Sequence, residues 1–124
     1  MKIVLDTNFL VYSVKYRIFQ QLEKPGISLI VPEQVIFELE KLSKRGKVKD
    51  KDAAKIALQL IKKLNIRTLK INAKNADDAV IKTAVQERAV LATLDSILAR
   101  KAEKNSVKVV GIRQKSYIPL EGKI

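Results

Sequence analysis

Short apolar runs and longer amphipathic stretches alternate along the chain. The apolar runs are continuous rather than broken by alternating polar residues, which is typical of parallel strands buried on both faces. Breaking residues separate the two kinds of stretch, for example Pro25 and Gly26 before the second apolar run. The predicted strands are KIVL (2–5), ISLIV (27–31), IRTLKI (66–71), AVLAT (89–93) and VKVVGI (107–112).

The amphipathic stretches predict helices that each bury one apolar face. In one of them, Val35, Leu39 and Leu42 recur at helical spacing. Another begins after Asn75, a favourable N-cap residue that two aspartates follow. The predicted helices cover residues 8–22, 33–43, 50 or 52 to 64, 76–87 and 96–103.

This alternation of strands and helices indicates an α/β fold. At 124 residues the chain is predicted to form one domain, 1–124, with a basic, irregular tail from about Arg113. Tyr12, Tyr16 and Phe19 recur at helical spacing and are predicted to pack into the core. No apolar run approaches the roughly 20 residues that span a bilayer. We therefore expect a cytoplasmic protein with no membrane partner.

The chain contains neither histidine nor cysteine, which excludes disulfides, thiolate chemistry and every nucleophile that histidine activates. Catalysis at neutral pH would depend on carboxylates, lysines, hydroxyls or a bound metal. Oxygen ligands suit hard ions such as Mg²⁺ and Mn²⁺. The formal net charge is +12, from 25 Lys and Arg against 13 Asp and Glu. That excess favours a polyanionic partner, most often nucleic acid.

Two aspartates directly follow predicted strands. Asp6 ends the stretch IVLD, and Asp95 ends ATLD. Open α/β sheets bind ligands beyond the carboxyl ends of their strands, near the point where the strand order reverses. Both residues are therefore candidate cation ligands. Each also has a purely local explanation as the N-cap of the helix that follows.

Three further acids are candidates for the same rim. Glu38 lies at the edge of the buried face of its helix, and pairing with Lys41 is its alternative explanation. Asp77 and Asp78 occupy a first helical turn, where the helix dipole alone favours negative charge. Carboxylates that gather in one place repel one another unless cations neutralise them. A divalent metal shared by these acids would let a basic, histidine-free protein cleave phosphodiester bonds with water.

Four motifs in order along the chain resemble those of the PIN-domain nucleases. They are LDTN with Leu10, VPEQVIFELEKL (31–42), ADDAVIKTA (76–84) and ATLDSIL (92–98), and together they span nearly the whole chain. The ADD pair and the ATxD ending look more similar to the archaeal and eukaryotic branch that processes ribosomal RNA than to VapC-type toxins.

The resemblance implies a three-layer α/β/α PIN-like fold with a central five-stranded parallel sheet of order 3-2-1-4-5. In that order the first and fourth strands are neighbours, so Asp6 and Asp95 would lie side by side. The resemblance also implies that Mg²⁺ or Mn²⁺ is held by Asp6, Glu38, Asp95 and one or both of Asp77 and Asp78. Asn8 and Thr93 would orient carboxylates or a water molecule.

The function expected from the resemblance is a metal-dependent endoribonuclease that hydrolyses single-stranded RNA with metal-activated water, in ribosomal-RNA processing or RNA turnover. One alternative is a VapC-type toxin held by an antitoxin, and another is a non-catalytic RNA-binding PIN domain in ribosome assembly. A homodimer is a further expectation, since PIN domains often form dimers. The candidate RNA-binding residues, which could equally form a solvated face, are Lys44, Arg45, Lys47, Arg100, Lys101 and Lys104.

Overall fold

The computed structural model describes residues 1–121, and a single five-stranded sheet organises them. Every strand pair in the sheet is parallel, and the strand order is β3-β2-β1-β4-β5. This order and the α/β class confirm the sequence-based prediction. The strands are β1 (Lys2–Leu5), β2 (Ser28–Pro32), β3 (Arg67–Leu69), β4 (Val90–Ala92) and β5 (Val109–Val110).

Five α-helices and one 3-10 helix connect the strands. Crossovers between parallel strands are right-handed as a rule, so the strand order implies that α1, α2 and α3 lie on one face and α4 and α5 on the other. Helix α3 contacts α1 and α2, and α4 contacts α5 and the central strands; α4 also contacts α2. The helices are α1 (Thr7–Lys15), the 3-10 helix (Phe19–Leu22), α2 (Glu33–Arg45), α3 (Val48–Lys63), α4 (Ala76–Glu87) and α5 (Ser96–Lys104).

Strand β1 is the centre of the core. It pairs with β2 on one side and with β4 on the other, in a register that sets Val4 opposite Ile30 and Leu91. Ile3, Val4 and Leu5 are fully buried. Helices on both faces of the sheet explain why the run is apolar at consecutive positions.

The first predicted helix, residues 8–22, is wrong in its second half. Helix α1 ends at Lys15, and Arg17 adopts the left-handed conformation with φ of 58°. The N–H groups of Arg17 and Ile18 then donate to the carbonyls of Val14 and Ser13, which is the Schellman pattern of a terminated helix. Phe19 is buried but belongs to the separate 3-10 helix, whereas Tyr16 is 53% exposed. The predicted core stripe of Tyr12, Tyr16 and Phe19 therefore does not form.

Other elements differ from the predictions at their ends. Strands β3, β4 and β5 are shorter than the runs that predicted them, α2 continues to Arg45, and α3 begins at Val48 rather than at Asp50 or Asp52. Strands β3 and β5 lie at the edges of the sheet, where only one neighbour is present to pair with the backbone.

The segment from Arg113 docks against α1 and the 3-10 helix. The Tyr12 hydroxyl donates to the Lys115 carbonyl, and the Gln21 side chain donates to the Ser116 carbonyl while accepting from the Ile118 N–H. Ile118 is buried in the core. The last three residues of the predicted tail, 122–124, lie outside the described residues. Over the described part of the chain, no helix combines the length and the apolar character needed to cross a membrane.

Two residues on α2 offer a matched test of this core. Leu39 is fully buried whereas Phe37 is 51% exposed. We expect Leu39→Ala to lower the free energy of unfolding by about 2–5 kcal/mol, because it leaves a cavity under the helix. Phe37→Ala should lower it by less than about 1 kcal/mol. Urea unfolding measures both, and equal losses would contradict the assigned face of α2.

Candidate active site at the carboxyl edge of the sheet

The carboxyl ends of β1 and β4 meet at the point where the strand order reverses. Asp6 directly follows β1, and Thr93 and Asp95 follow β4. The Asp6 N–H donates to the Ala92 carbonyl at 3.1 Å, which continues the pairing of the two strands by one residue. The sheet therefore brings two chain segments that are far apart in sequence to one crevice.

Asp6 is a buried carboxylate held by two hydrogen bonds. Its Oδ1 accepts from the Thr7 N–H at 2.9 Å, and its Oδ2 accepts from the Thr93 hydroxyl at 2.9 Å. The first of these bonds makes Asp6 the N-cap of α1. Asp6 is thus the helix cap that the local explanation predicted. The two hydrogen bonds leave further lone pairs on the carboxylate, which can still accept a ligand in the crevice.

Burial raises the pKa of Asp6 to about 6, since the charged form loses its hydration. The hydrogen bonds from Thr93 and Thr7 oppose this rise, whereas the negative charges of Asp77 and Glu38 add to it. These two acids therefore lie close enough to Asp6 to repel its charge. Burial and like-charge neighbours both destabilise the ionised carboxylate, so a bound cation would stabilise it strongly.

Glu38 reaches this crevice from α2. Its Oε1 accepts from the Thr7 hydroxyl at 2.5 Å, which links α2 to the first residue of α1. This bond replaces the pairing with Lys41 that was the alternative explanation of Glu38, and no Glu38–Lys41 ion pair occurs among residues 1–121.

The structure separates the two aspartates of α4. Asp77 is exposed and raises the pKa of Asp6. Asp78 accepts from the Lys74 N–H at 3.2 Å and pairs with Lys82 at 3.1 Å, and these partners lower its pKa. Asp77 therefore contributes its charge to the crevice, whereas the charge of Asp78 is balanced locally.

Asp95 is an N-cap as well as a neighbour of the crevice. Its Oδ1 accepts from the N–H groups of Ile97 and Leu98 at 2.9 and 3.1 Å. Its own N–H donates to the Thr93 hydroxyl at 3.1 Å. Thr93 therefore connects the loop that carries Asp95 to the carboxylate of Asp6.

Asp6, Glu38 and Asp77 interact electrostatically at this edge of the sheet without forming a compact cluster, and Asp95 is not among the charges that shift the Asp6 pKa. Within residues 1–121, no three acidic side chains are grouped closely enough to hold a metal ion. The Thr7 hydroxyl donates to Glu38, and the first turn of α5 donates to one oxygen of Asp95. Such local hydrogen bonds are expected where carboxylates repel one another. The chemistry of the donor set, oxygen only, fits a hard divalent cation.

Two predicted supporting residues have different environments. Thr93 orients Asp6 through the hydrogen bond described above. Asn8 is exposed and lines a neighbouring pocket between α1 and Leu94. Gln34 was not predicted to have a role, but its Nε2 donates to the Ile71 carbonyl at 2.6 Å and connects α2 to the segment before α4.

The predicted basic residues do not form one surface. Lys44 and Arg45 are exposed in the last turn of α2, with Lys47 just before α3. Arg100 is exposed on α5, whereas Lys101 and Lys104 line a groove of about 750 Å³ beside α4 and α5. Two further lysines of the groove were not predicted from the sequence, although Lys82 could have been found from its helical spacing to Asp78. The lysines that line the groove are Lys70, Lys82, Lys101 and Lys104.

Comparison with known proteins agrees with this architecture. A family model described as a PIN-like domain matches residues 3–115. Ribonuclease VapC4 of Methanocaldococcus jannaschii is 31% identical over 129 aligned residues, which cover 99% of this chain and 98% of that protein. The chain therefore belongs to the PIN-domain family, which confirms the resemblance seen in its motifs.

Solved structures support the fold at lower identity. The PIN domain endonuclease Utp24 is 21% identical with a TM-score of 0.70, over 93% of this chain and 87% of that one. VapBC2 from Rickettsia felis, solved with a DNA fragment from its promoter, is 19% identical with a TM-score of 0.59, over 90% of this chain and 98% of that one. The similar proteins thus include ribonuclease VapC4, VapBC2 and the PIN domain endonuclease Utp24.

The raised pKa of Asp6 predicts a pH-dependent stability. Folding raises this pKa from 3.8 to about 6, so the folded chain binds the proton more tightly than the unfolded chain. The stabilising effect is complete below pH 4 and is lost as the pH rises through 6, by up to about 3 kcal/mol. In a chelator, Asp6→Asn should therefore be more stable than wild type at pH 7.5.

Urea unfolding of both proteins between pH 4 and 8 measures this difference directly, because the other titrating groups are common to both. A stability difference that does not change with pH would contradict a raised Asp6 pKa.

Proposed function

We propose that the protein is a metal-dependent endoribonuclease that hydrolyses single-stranded RNA. The observation that carries the proposal is the environment of Asp6: a buried carboxylate with a raised pKa and two acidic neighbours, at the carboxyl edge of a parallel sheet. A buried charge among like charges destabilises the fold unless a cation neutralises it. Such a group in a crevice is therefore a candidate for cation binding. The membership of the PIN-domain family and the name of the ribonuclease relative support the same activity.

The residues proposed to hold Mg²⁺ or Mn²⁺ are Asp6, Glu38, Asp77 and Asp95. Asp78 is a weaker candidate than Asp77, because Lys82 and the Lys74 N–H already neutralise its carboxylate. When bound, the metal would supply Lewis-acid chemistry by activating water as the nucleophile and stabilising the departing oxygen.

The threonines of the crevice act on the carboxylates rather than on the substrate. The Thr93 hydroxyl fixes the orientation of Asp6 Oδ2, and the Thr7 hydroxyl fixes Glu38 Oε1. Such supporting hydrogen bonds set the direction in which a ligand oxygen points. Thr93 also accepts from the Asp95 N–H, so one hydroxyl is hydrogen-bonded to both strand-end aspartates.

The proposed RNA-binding surface is the lysine groove beside α4 and α5. Of its four lysines, Lys82 pairs with Asp78, while Lys70, Lys101 and Lys104 add exposed positive charge. The groove reaches the start of α4, where Asp78 lines it next to Asp77 of the acidic rim. The lysines would attract phosphates, and a cation would be required at the rim.

A VapC-type role with an antitoxin partner is the second candidate function. It is favoured by the 31% identity to ribonuclease VapC4 along almost the whole of both chains. Ribosomal-RNA processing is the other role, suggested by the ADD and ATLD motifs and by the similarity of fold to Utp24. Expression without any partner distinguishes them: growth arrest that requires Asp6 supports a toxin, and normal growth supports processing.

Removal of single carboxylates should separate the metal ligands from their neighbours. With Mn²⁺ and labelled single-stranded RNA, we expect Asp6→Asn to abolish cleavage and Asp77→Asn to lower the rate far more than Asp78→Asn. Thr93→Val should lower it by about 10–100-fold, because Asp6 loses its orienting bond. Asp95→Asn should also lower the rate. Because asparagine keeps the helix cap, this loss would be due to the missing negative charge rather than to a disturbed helix.

Glu38→Gln should also lower the cleavage rate, because it removes the charge of a proposed metal ligand. Glu40→Gln is its matched control, since both acids are exposed on α2 but only Glu38 accepts from Thr7. Glu40→Gln should retain the wild-type rate. Equal cleavage by wild type and Asp6→Asn would attribute the activity to a contaminant and refute the proposal.

The lysine groove predicts a change in the salt dependence of RNA binding. Lys101→Ala with Lys104→Ala should weaken binding and reduce the slope of log affinity against log salt by about 0.7 for each lost phosphate contact. Lys62→Ala with Lys63→Ala is matched in charge and in position, because those lysines are exposed in the last turn of α3. Equal slopes for the two double variants would show that the groove does not bind phosphates.

A further inference from the structure

A small pocket opens beside the acidic rim on the α1 side of the molecule. It has a volume of about 240 Å³. Asn8 and Leu94 line the end nearest to the rim, since they follow Asp6 and precede Asp95 closely in the chain. The other lining residues are Val11, Tyr12, Lys15, Tyr16, Leu42 and Asp50.

Two aromatic rings form one wall of this pocket. The ring centroids of Tyr12 and Tyr16 are 4.4 Å apart at an angle of 42°. The hydrogen bond from the Tyr12 hydroxyl to the Lys115 carbonyl, at 2.9 Å, holds the inner ring in place. Tyr16 is 53% exposed, so the wall presents a largely solvent-facing ring on a fixed support.

Charged groups complete the pocket. Lys15 Nζ lies 5.7 Å from the centroid of the Tyr16 ring and 3.1 Å from Asp50 Oδ1. The pair thus places a strong hydrogen-bond donor and an acceptor beside an aromatic surface. An aliphatic ligand would gain nothing from this pair, whereas a polar aromatic ligand would use both features.

We propose that this pocket binds one unstacked nucleobase of the RNA, next to the phosphate to be cleaved. The base would stack on Tyr16, and Lys15 and Asp50 would contact its polar edge. Stacking on aromatic side chains is a general means of holding single-stranded nucleic acid. The inference deepens the proposed ribonuclease function and rests on it. It also supplies a physical reason for single-strand preference, because a base inside a duplex cannot enter.

Binding measured in a chelator tests the pocket without depending on cleavage. We expect Tyr16→Ala to weaken binding of a short oligoadenylate by about 10-fold. Tyr16→Phe should retain the affinity because it keeps the aromatic face. Binding of an abasic oligomer of the same length should be weak and insensitive to both changes. Tyr117→Ala is the control, since Tyr117 is 43% exposed and lies outside the pocket.

A fluorescent variant provides a second readout. The chain contains no tryptophan, so Tyr16→Trp places a single indole in the pocket, and its emission should be quenched by oligoadenylate but not by the abasic oligomer. Unchanged affinity in Tyr16→Ala, or equal loss for both oligomers, would overturn the base pocket. If the wild-type protein showed these binding results but did not cleave RNA, only the nuclease proposal would be refuted.

Discussion

The buried carboxylate of Asp6 is the constraint on which the functional edge of this protein depends. The pairing of β1 with β4 carries Asp6 into contact with Thr93, 87 positions later, and one hydroxyl then joins Asp6 Oδ2 to the loop of Asp95. Burial makes the charge unfavourable. The fold tolerates this because two hydrogen bonds hold the carboxylate, and a cation would remove the remaining penalty.

Helix capping and metal binding are compatible uses of the same aspartates. Asp6 caps α1 and Asp95 caps α5, so each is oriented before any ligand arrives. A carboxylate has more lone pairs than one cap requires, and the strand-end position directs the remainder to the crevice. Acids lie on this rim, whereas the groove beside α4 and α5 carries four lysines together with Asp78, which pairs with Lys82.

Much of the fold could be predicted because the strands are continuous apolar runs, and the motifs indicated the strand order. The ends of α3, α4 and α5 were predicted to within one residue, but the end of α1 was not. Helix α1 ends at Lys15 because Arg17 adopts the left-handed conformation, and a glycine at that position would have indicated the end of the helix. Asp77 and Asp78 could be separated only in part from the sequence. The i,i+4 spacing of Lys82 from Asp78 is visible there, whereas the hydrogen bond from the Lys74 N–H depends on the conformation of the loop before α4. Tyr16 was assigned to the core because its spacing matches a helix that in fact ends one residue earlier.

Calorimetric titration of the metal-free protein with Mn²⁺ tests the central claim most directly, because it measures cation binding independently of catalysis. The account predicts saturable binding by wild type at pH 7.5, weaker binding at pH 5 because protons then compete for Asp6, and loss of that binding in Asp6→Asn. Mn²⁺ binding of equal affinity in wild type and Asp6→Asn would contradict the account.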